Sequence, residues 1–274
     1  MFLDYHVHTD YSDDSVYLME DVIKDAITMN MQEIAITDHV DYGIKKDWSE
    51  GDIEYRNGEP IANVDYPKYF KELEYLINKY DQIKIRKGME FGIQMHTIPQ
   101  FENLFNKYDF DFIILSIHQV EDKEFWTGDF QRGRTQKEYN KRYYQELLDV
   151  INVYKNYSVL GHLDLIVRYD EEGVYPFEKV KPMIEEILKQ VIKDGKGIEI
   201  NTSYHRYGLK DMTPSRDILK LYRELGGKII TIGSDSHKKE HLGAYIDEAK
   251  DELRKLGFQY YCTFEKMKPI YHQL

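Results

Sequence analysis

Two pairs of potential metal ligands lie near opposite ends of the chain, and the members of each pair are two residues apart. His6 and His8 fall in the first apolar segment, and Asp235 and His237 follow a late one. Because alternate side chains of a strand point to the same face, each pair projects together and could bind a metal ion. A single pair could equally be two buried side chains hydrogen-bonded to the backbone. The indication of a metal site therefore comes from the two pairs together.

Five further residues of the same chemical types lie at or near the ends of other apolar segments. They are Asp14, His39, Glu90, His118 and His162. Glu90 follows Met89 inside an apolar segment, where an unpaired ionised carboxylate is costly to bury. A salt bridge to Arg86 or Lys87 is the alternative explanation for this carboxylate. Asp14 also has an alternative, because an aspartate near a helix start can cap that helix.

The nine candidate ligands offer nitrogen and oxygen donors and no thiolate. Such a set suits zinc, manganese or ferrous iron, and it disfavours structural zinc, which usually recruits cysteine. Nine donors exceed what one ion requires, so we predict two or three divalent ions, with Glu90 bridging a pair. Asp38 precedes His39 and, by strand alternation, points away from it. We therefore expect Asp38 to make a structural hydrogen bond rather than to bind metal.

Short strands and longer helices alternate along the whole chain. Segments rich in Ile, Val, Phe or Leu predict strands at residues 2–8, 33–37, 83–91, 110–118, 158–162, 197–202 and 228–234. Apolar residues at three- and four-residue spacing predict helices at residues 17–31, 67–80, 137–154, 177–193, 214–225 and 241–256. This alternation predicts an α/β fold with a parallel sheet, and seven strands favour a closed or nearly closed barrel. With no linker or composition break, we expect residues 1–274 to form a single domain.

Two connections, residues 41–66 and 119–136, are long and polar. They carry Trp48, Trp126, Arg132 and Arg134. Long ordered loops on such a scaffold usually cover or wall a substrate site. In barrels of this kind the carboxyl ends of the strands meet at one rim, where the candidate ligands would also lie.

Composition limits the classes of partner. The net charge is −12 with no basic block, which argues against binding to nucleic acid. The lone Cys262 excludes an intramolecular disulfide and suits a reducing compartment. No apolar stretch approaches the roughly 20 residues of a membrane span, and the start lacks a secretion signal pattern. We expect a cytoplasmic protein with no membrane partner.

Six short segments, in order along almost the whole chain, resemble the motifs of the PHP (polymerase and histidinol phosphatase) superfamily. They are residues 4–9, 36–39, 88–90, 116–118, 161–162 and 233–237. The size of the chain and residues 161–166 and 198–202 resemble the monofunctional histidinol-phosphate phosphatases within that superfamily. The resemblance implies a distorted (β/α)7 barrel with a trinuclear metal site at the C-terminal ends of the strands.

The resemblance also implies how the nine ligands are divided among three ions. One ion would take His6, His8, Glu90 and Asp235; a second would share Glu90 and add His118 and His162; a third would take Asp14, His39 and His237. Many relatives have histidine where this chain has Asp14. That difference predicts a harder or weaker third site.

The activity implied by the resemblance is hydrolysis of L-histidinol phosphate to L-histidinol and phosphate, in histidine biosynthesis. We hypothesise that hydroxide bridging two metal ions attacks the phosphorus in line, with Asp235 orienting it or receiving its proton. Arg168 and Arg206 are the candidate ligands of the phosphoryl oxygens, and solvent-exposed charge is the alternative for both. The ammonium and imidazole of the substrate could meet loop residues. The candidates are Asp41, Tyr42, Glu121, Asp122 and Trp126.

Other functions stay open on the sequence alone. The same chemistry could act on another small phosphate monoester, on a nucleotide or on a DNA 3′ end, although the low basic content disfavours DNA. An amidohydrolase-like enzyme could use a similar barrel and similar metals. A metal-binding module without turnover is a further alternative.

Overall fold

The computed structural model describes residues 1–56 and 59–274, and a parallel sheet of seven strands lies at its centre. The strands β1 to β7 are Leu3–Val7, Glu33–Ile36, Lys84–Gly92, Phe112–Ser116, Val159–Leu160, Gly197–Asn201 and Ile230–Gly233. Each strand pairs in parallel with the next in chain order. A two-residue strand, His39–Val40, joins the same sheet beside β3.

The first strand and the segment after the last one bring the two sheet edges together. The His8 amide donates to the Ser236 carbonyl at 2.8 Å, and Val7 forms a parallel bridge with Ser236. The sheet is thus a nearly closed barrel. The α/β class and the seven-strand barrel predicted from the sequence are confirmed.

Helices surround the barrel; all but the last lie in the connections between its strands, and the last follows β7. The helices α1 to α7 are Met19–Thr28, Tyr66–Lys79, Ile98–Lys107, Gln136–Val153, Phe177–Lys193, Arg216–Glu224 and Ile246–Lys255. All six predicted helices are present, and α5 has the predicted bounds. The predicted start of α6 at residue 214 is wrong, because Ser215 caps this helix by accepting from the Ile218 amide. The backbone of Thr213 instead accepts from the Asn201 amide.

Sequence patterns missed helix α3 and a C-terminal antiparallel hairpin. The hairpin strands are β8, Tyr260–Glu265, and β9, Lys268–Gln273. The Phe264 amide donates to the Tyr5 hydroxyl at 2.9 Å, and the Phe264 ring packs on Phe112. Because Phe112 begins β4, the hairpin covers the amino ends of the strands and leaves the opposite rim free.

Short elements shape the connections at that opposite rim. Two-residue strands pair within the two long connections: Tyr55–Arg56 with Glu59–Pro60, and Gln119–Val120 with Lys123–Glu124. Turns of 3-10 helix occur at Trp48–Glu50, Met95–Thr97, Leu165–Tyr169, Thr202–His205 and Lys239–His241. Within residues 1–56 and 59–274, no helix has the length and apolar character needed to cross a membrane.

Candidate metal centre

Glu90, fully buried near the end of β3, is the centre of the cluster formed by the predicted ligands. Four imidazole nitrogens lie close to its carboxylate. The distances are 3.1 Å from His6 Nε2, 3.0 Å from His39 Nδ1, 3.1 Å from His118 Nε2 and 2.8 Å from His162 Nε2. These side chains come from separate segments of the chain, so the barrel rim assembles the cluster.

The cationic neighbours of Glu90 in sequence are engaged elsewhere. Arg86 pairs with Glu33 at 2.7 Å, and Lys87 lies 3.5 Å from Glu74. The alternative explanation of Glu90 as a salt-bridge partner of these two residues is therefore wrong.

His8 connects the buried part of the cluster to its outer part. Its Nε2 lies 3.5 Å from Glu90 Oε2 and 3.4 Å from Asp235 Oδ1. Its ring stacks on both His39 and His237, with ring centroids 4.1 Å apart in each case. The two pairs at the ends of the chain thus meet through His8 and Asp235.

Within the described residues, four triads have ligand atoms that all lie within 4.8 Å of one another. They are His6–His8–Asp235, His6–Glu90–His162, His39–Glu90–His118 and His8–His39–His237. Only the first of these triads falls within one ion's ligands in the division that the resemblance implies. The second joins His6 to His162, and the third joins His39 to His118, which that division assigns to different ions. The last joins His8 to the outer histidines, which that division assigns to another ion. All nine candidates are close together, and their roles as ligands stay a prediction.

Asp14 lies at the outer edge of this cluster. Its side chain is 53% exposed, and its Oδ2 lies 3.1 Å from His237 Nε2 and 3.6 Å from His39 Nε2. It belongs to none of the four triads. It does not cap α1 either, because that helix starts at Met19 without a side-chain cap.

The side chains of the cluster fit divalent metal ions. His8 Nε2 and His39 Nδ1 are buried, and neither meets the geometry of a hydrogen bond, although Glu90 Oε2 lies 3.5 and 3.0 Å away. An unsatisfied buried nitrogen is costly, and a metal ion would satisfy it. Asp235 has a left-handed backbone with φ of 55°, which costs a non-glycine residue on the order of 1–3 kcal/mol. The fold therefore holds Asp235 in the cluster against its backbone preference.

Charges within the cluster pull the imidazole pKa values in opposite directions. Burial lowers the pKa of His6, but the charges of Glu199 and Glu90 outweigh burial and hold that pKa well above its usual value. Burial and the imidazoles of His237 and His39 hold the pKa of His8 well below its usual value. A neutral His8 presents a nitrogen lone pair, which is the form that binds metal.

Acidic residues behind the cluster orient two of its histidines. Glu199 Oε1 lies 2.6 Å from His6 Nδ1, and Asp41 Oδ1 lies 2.7 Å from His118 Nδ1. Glu199 was not among the predicted site residues, although a glutamate within the buried strand β6 was the available signal. Asp41 was predicted to meet the substrate. Asp41 is buried beside His118 and Lys45, whose Nζ lies 3.0 Å away, and it also lines the cavity that opens onto the cluster, so its contact with a substrate stays a prediction.

The predicted structural role of Asp38 is confirmed. Its carboxylate accepts hydrogen bonds from the Thr9 amide and the Ser12 hydroxyl, both at 2.6 Å. Ser12 Oγ also lies 3.2 Å from His8 Nδ1. Asp38 thereby fixes the loop that positions His8.

Two arginines flank Asp235 on the side away from the histidines. Arg168 Nη2 and Arg206 Nη2 lie 3.6 and 3.4 Å from Asp235 Oδ2. Arg206 also donates to the carbonyls of Ser234 and Asp235, and the Arg168 guanidinium lies 3.9 Å from the centroid of the Tyr207 ring. Their side chains are 8% and 20% exposed, so the alternative of solvent-exposed charge is wrong for both.

A cavity of about 780 Å³ opens onto this cluster. Both arginines line it, and the two long connections contribute walls, as the sequence analysis predicted. The wall residues from these connections include Arg56, Pro60, Ile61, Glu124 and Trp126.

Three residues predicted to meet the substrate do not line this cavity. The Tyr42 hydroxyl contacts Asp47 and Tyr66, Glu121 pairs with Arg134 and Arg142, and Asp122 accepts from Gln94. The predictions for these three residues are wrong. Each polar group has at least one partner that is 13 or more residues away in sequence, which the local pattern does not reveal.

The amino-acid sequence matches the model of the PHP domain over residues 4–203. The chain belongs to the PHP domain family. The matched range includes seven of the nine candidate ligands. The other two follow β7. They are Asp235 and His237.

This PHP domain chain is similar to several curated proteins along most of its length. It is 32% identical over 273 residues to the histidinol-phosphatase of Lactococcus lactis subsp. lactis, covering 97% of this chain and 95% of that protein. It is 30% identical over 264 residues to the probable histidinol-phosphatase of Thermotoga maritima, covering 94% of each.

Solved structures show the same PHP fold. The crystal structure of histidinol phosphate phosphatase from Lactococcus lactis subsp. lactis, complexed with zinc, L-histidinol and phosphate, matches with a TM-score of 0.83 and 31% identity over 98% of both chains. The putative histidinol phosphatase of Listeria monocytogenes matches with a TM-score of 0.71 at 20% identity, covering 89% of this chain and 98% of that one. This second likeness concerns the fold alone.

Proposed function

We propose that this chain is a metal-dependent phosphatase that hydrolyses L-histidinol phosphate to L-histidinol and phosphate. One observation carries the proposal: six members of a cluster of six histidines and three carboxylates line one cavity, together with two largely buried arginines. The full-length similarity to a histidinol-phosphatase, and to the structure of one complexed with L-histidinol and phosphate, supports this substrate.

The nine clustered side chains are the proposed ligands of two or three zinc, iron or manganese ions. Glu90 would bridge ions, since both of its oxygens lie close to imidazoles: Oε2 faces His6 and Oε1 faces His162. Asp14 and His237 would hold the outermost ion. Bound divalent ions would supply Lewis acidity for the phosphoryl oxygens, a lowered pKa for water, and net positive charge.

Asp235 is the proposed catalytic carboxylate because it faces two kinds of partner. Its Oδ1 lies toward His8 and its Oδ2 toward Arg168 and Arg206. Burial raises the pKa of Asp235, but His6 and the other cationic neighbours outweigh burial and hold that pKa well below its usual value. The ionised carboxylate can therefore orient a water molecule by accepting its hydrogen bond. It is also the proposed acceptor of a proton from water whose own pKa a bound metal ion would lower.

The two arginines are the proposed phosphate ligands. A guanidinium offers donors in a planar fork that matches phosphate oxygens, and burial strengthens those hydrogen bonds. Arg206 is held in place by the carbonyls of Ser234 and Asp235, so its donors are positioned before substrate binds. This geometry favours a small phosphate monoester over a long polyanion, whose outer phosphates would meet a chain of net charge −12.

Phosphate release from a panel of monoesters tests this function. We expect kcat/KM for L-histidinol phosphate to exceed that for 4-nitrophenyl phosphate, AMP and glycerol phosphate by about 100-fold or more, as polar recognition of a substrate allows. Chelation should abolish turnover, and zinc, manganese or iron should restore it. Equal turnover of all esters would contradict the substrate, and absence of any metal-dependent turnover would favour a binding module.

A further inference from the structure

Glu124 is a nearly buried carboxylate in the cavity that also holds the two arginines. It ends the short strand Lys123–Glu124 in the connection between β4 and α4. Its side chain is 9% exposed, and its one ion-pair partner among the described residues is Arg56, with Nη1 3.1 Å from Oε2. The Arg56 side chain is itself 54% exposed. The charge of a nearly buried carboxylate is thus balanced by a cation that is itself largely exposed to solvent.

The carboxylate of Glu124 keeps unused acceptor capacity. A single nitrogen of Arg56 approaches both carboxylate oxygens, at 3.1 and 3.5 Å. A carboxylate can accept about four hydrogen bonds, so about half of its acceptor positions remain for a ligand in the cavity. Because a buried carboxylate gains most from a charged donor, the favoured ligand group is a cation.

Two aromatic side chains, Trp126 and Tyr169, line the same cavity as this carboxylate and the arginines. Trp126, two residues after Glu124, lines the cavity and is half-exposed, and its ring centroid is 6.4 Å from that of Tyr169. Tyr169 adjoins Arg168 in the turn after β5. The cavity therefore presents two arginines, aromatic rings and a carboxylate among its lining residues.

We propose that Glu124 accepts a hydrogen bond from the ammonium group of L-histidinol phosphate and makes the enzyme selective for phosphate monoesters that carry an amine. The inference rests on the proposed function. The substrate has a phosphate dianion at one end and a protonated primary amine at the other. The arginines and the carboxylate match these two charges, and the aromatic rings can contact the imidazole.

A matched pair of substrates isolates the amine. L-histidinol phosphate is compared with 3-(imidazol-4-yl)propyl phosphate, which lacks only the amine. We expect Glu124→Gln to lower kcat/KM for L-histidinol phosphate by about 10- to 100-fold, mostly through KM, as the loss of one charge-assisted hydrogen bond allows. For the ester without the amine, kcat/KM of Glu124→Gln should equal that of the unmodified enzyme. Inhibition by L-histidinol should weaken by a similar factor.

Asp129→Asn is the control, because Asp129 belongs to the same connection and is 47% exposed beside Arg132. This variant should have the same kcat/KM as the unmodified enzyme for both substrates. Equal losses on the two esters in Glu124→Gln, or no loss on either, would overturn the role of Glu124. An unchanged enzyme that hydrolyses neither ester would contradict the proposed function instead. In that case calorimetric binding of L-histidinol decides the role of Glu124: unchanged affinity in Glu124→Gln overturns it.

Discussion

Glu199 Oε1 lies 2.6 Å from His6 Nδ1, and both side chains are fully buried. This contact fixes the His6 ring so that Nε2 points toward Glu90. When Nδ1 carries the proton that Glu199 accepts, Nε2 keeps a free lone pair. A carboxylate outside the cluster thereby determines which ring nitrogen of His6 points into the cluster.

Glu199→Gln is expected to lower metal affinity by about 10- to 100-fold, because the amide holds the imidazole less firmly and makes it less basic. Competition with a chelator would measure the change. Glu33→Gln is a matched control: Glu33 is also a buried strand glutamate, but it pairs with Tyr5 and Arg86 away from the cluster. It should destabilise the fold without altering metal affinity. Equal loss of affinity in both variants would contradict the orienting role.

Glu90→Gln is expected to reduce kcat/KM by at least about 10³-fold, since several kcal/mol of transition-state stabilisation depend on the ions it holds. The metal content of the purified variant should fall with the activity. Glu74→Gln, on the exposed face of α2, should change neither quantity. A fully active Glu90→Gln enzyme would show that the cluster does not bind the catalytic metal.

Arg206→Met and Arg168→Met are each expected to lower kcat/KM by about 10- to 100-fold, as the loss of a charged hydrogen bond to phosphate implies. Inhibition by inorganic phosphate should weaken in parallel. Arg132→Met is the control, because the Arg132 side chain is 75% exposed beside Asp129. Unchanged phosphate inhibition in the first two variants would argue against phosphate binding by these arginines.

Asp14→Asn is expected to have a milder effect than Glu90→Gln, because Asp14 is half-exposed and contacts only the outer histidines. Metal content should fall by at most one ion per chain, and added metal should restore most of the activity. Elemental analysis and metal titration of activity would check this. Asp13→Asn provides a neighbouring control that removes a contact with Lys45 only. Metal loss as complete as in Glu90→Gln would contradict a peripheral role.

Tyr5→Phe is expected to lower the free energy of unfolding by about 1–2 kcal/mol, because the buried hydroxyl donates to Glu33 and accepts from the Phe264 amide. Urea denaturation would measure this loss. Kinetic constants should stay unchanged, since these contacts join the C-terminal hairpin to the barrel away from the metal cluster. A change in kcat without loss of stability would contradict this separation.

The sequence determined the barrel and the rim residues because both depend on local patterns. Alternating apolar strands and amphipathic helices specify a parallel sheet, and parallel strands place their carboxyl ends together. Histidines and acids at those ends could therefore be assigned to one site before any distance was known. Glu90 was identifiable for the same reason, since a carboxylate in a buried strand needs partners.

Only the tertiary structure decided which side chains support that site and which line its cavity. Asp41 looks like a loop acid in the sequence, yet it lies between His118 and Lys45. Glu124 is one acid among several in its connection, yet it is the nearly buried one in the cavity. Pairing and burial depend on contacts between residues far apart in the chain. The sequence specifies the type and order of the charged residues. The tertiary structure specifies which of them are buried and which residues they contact.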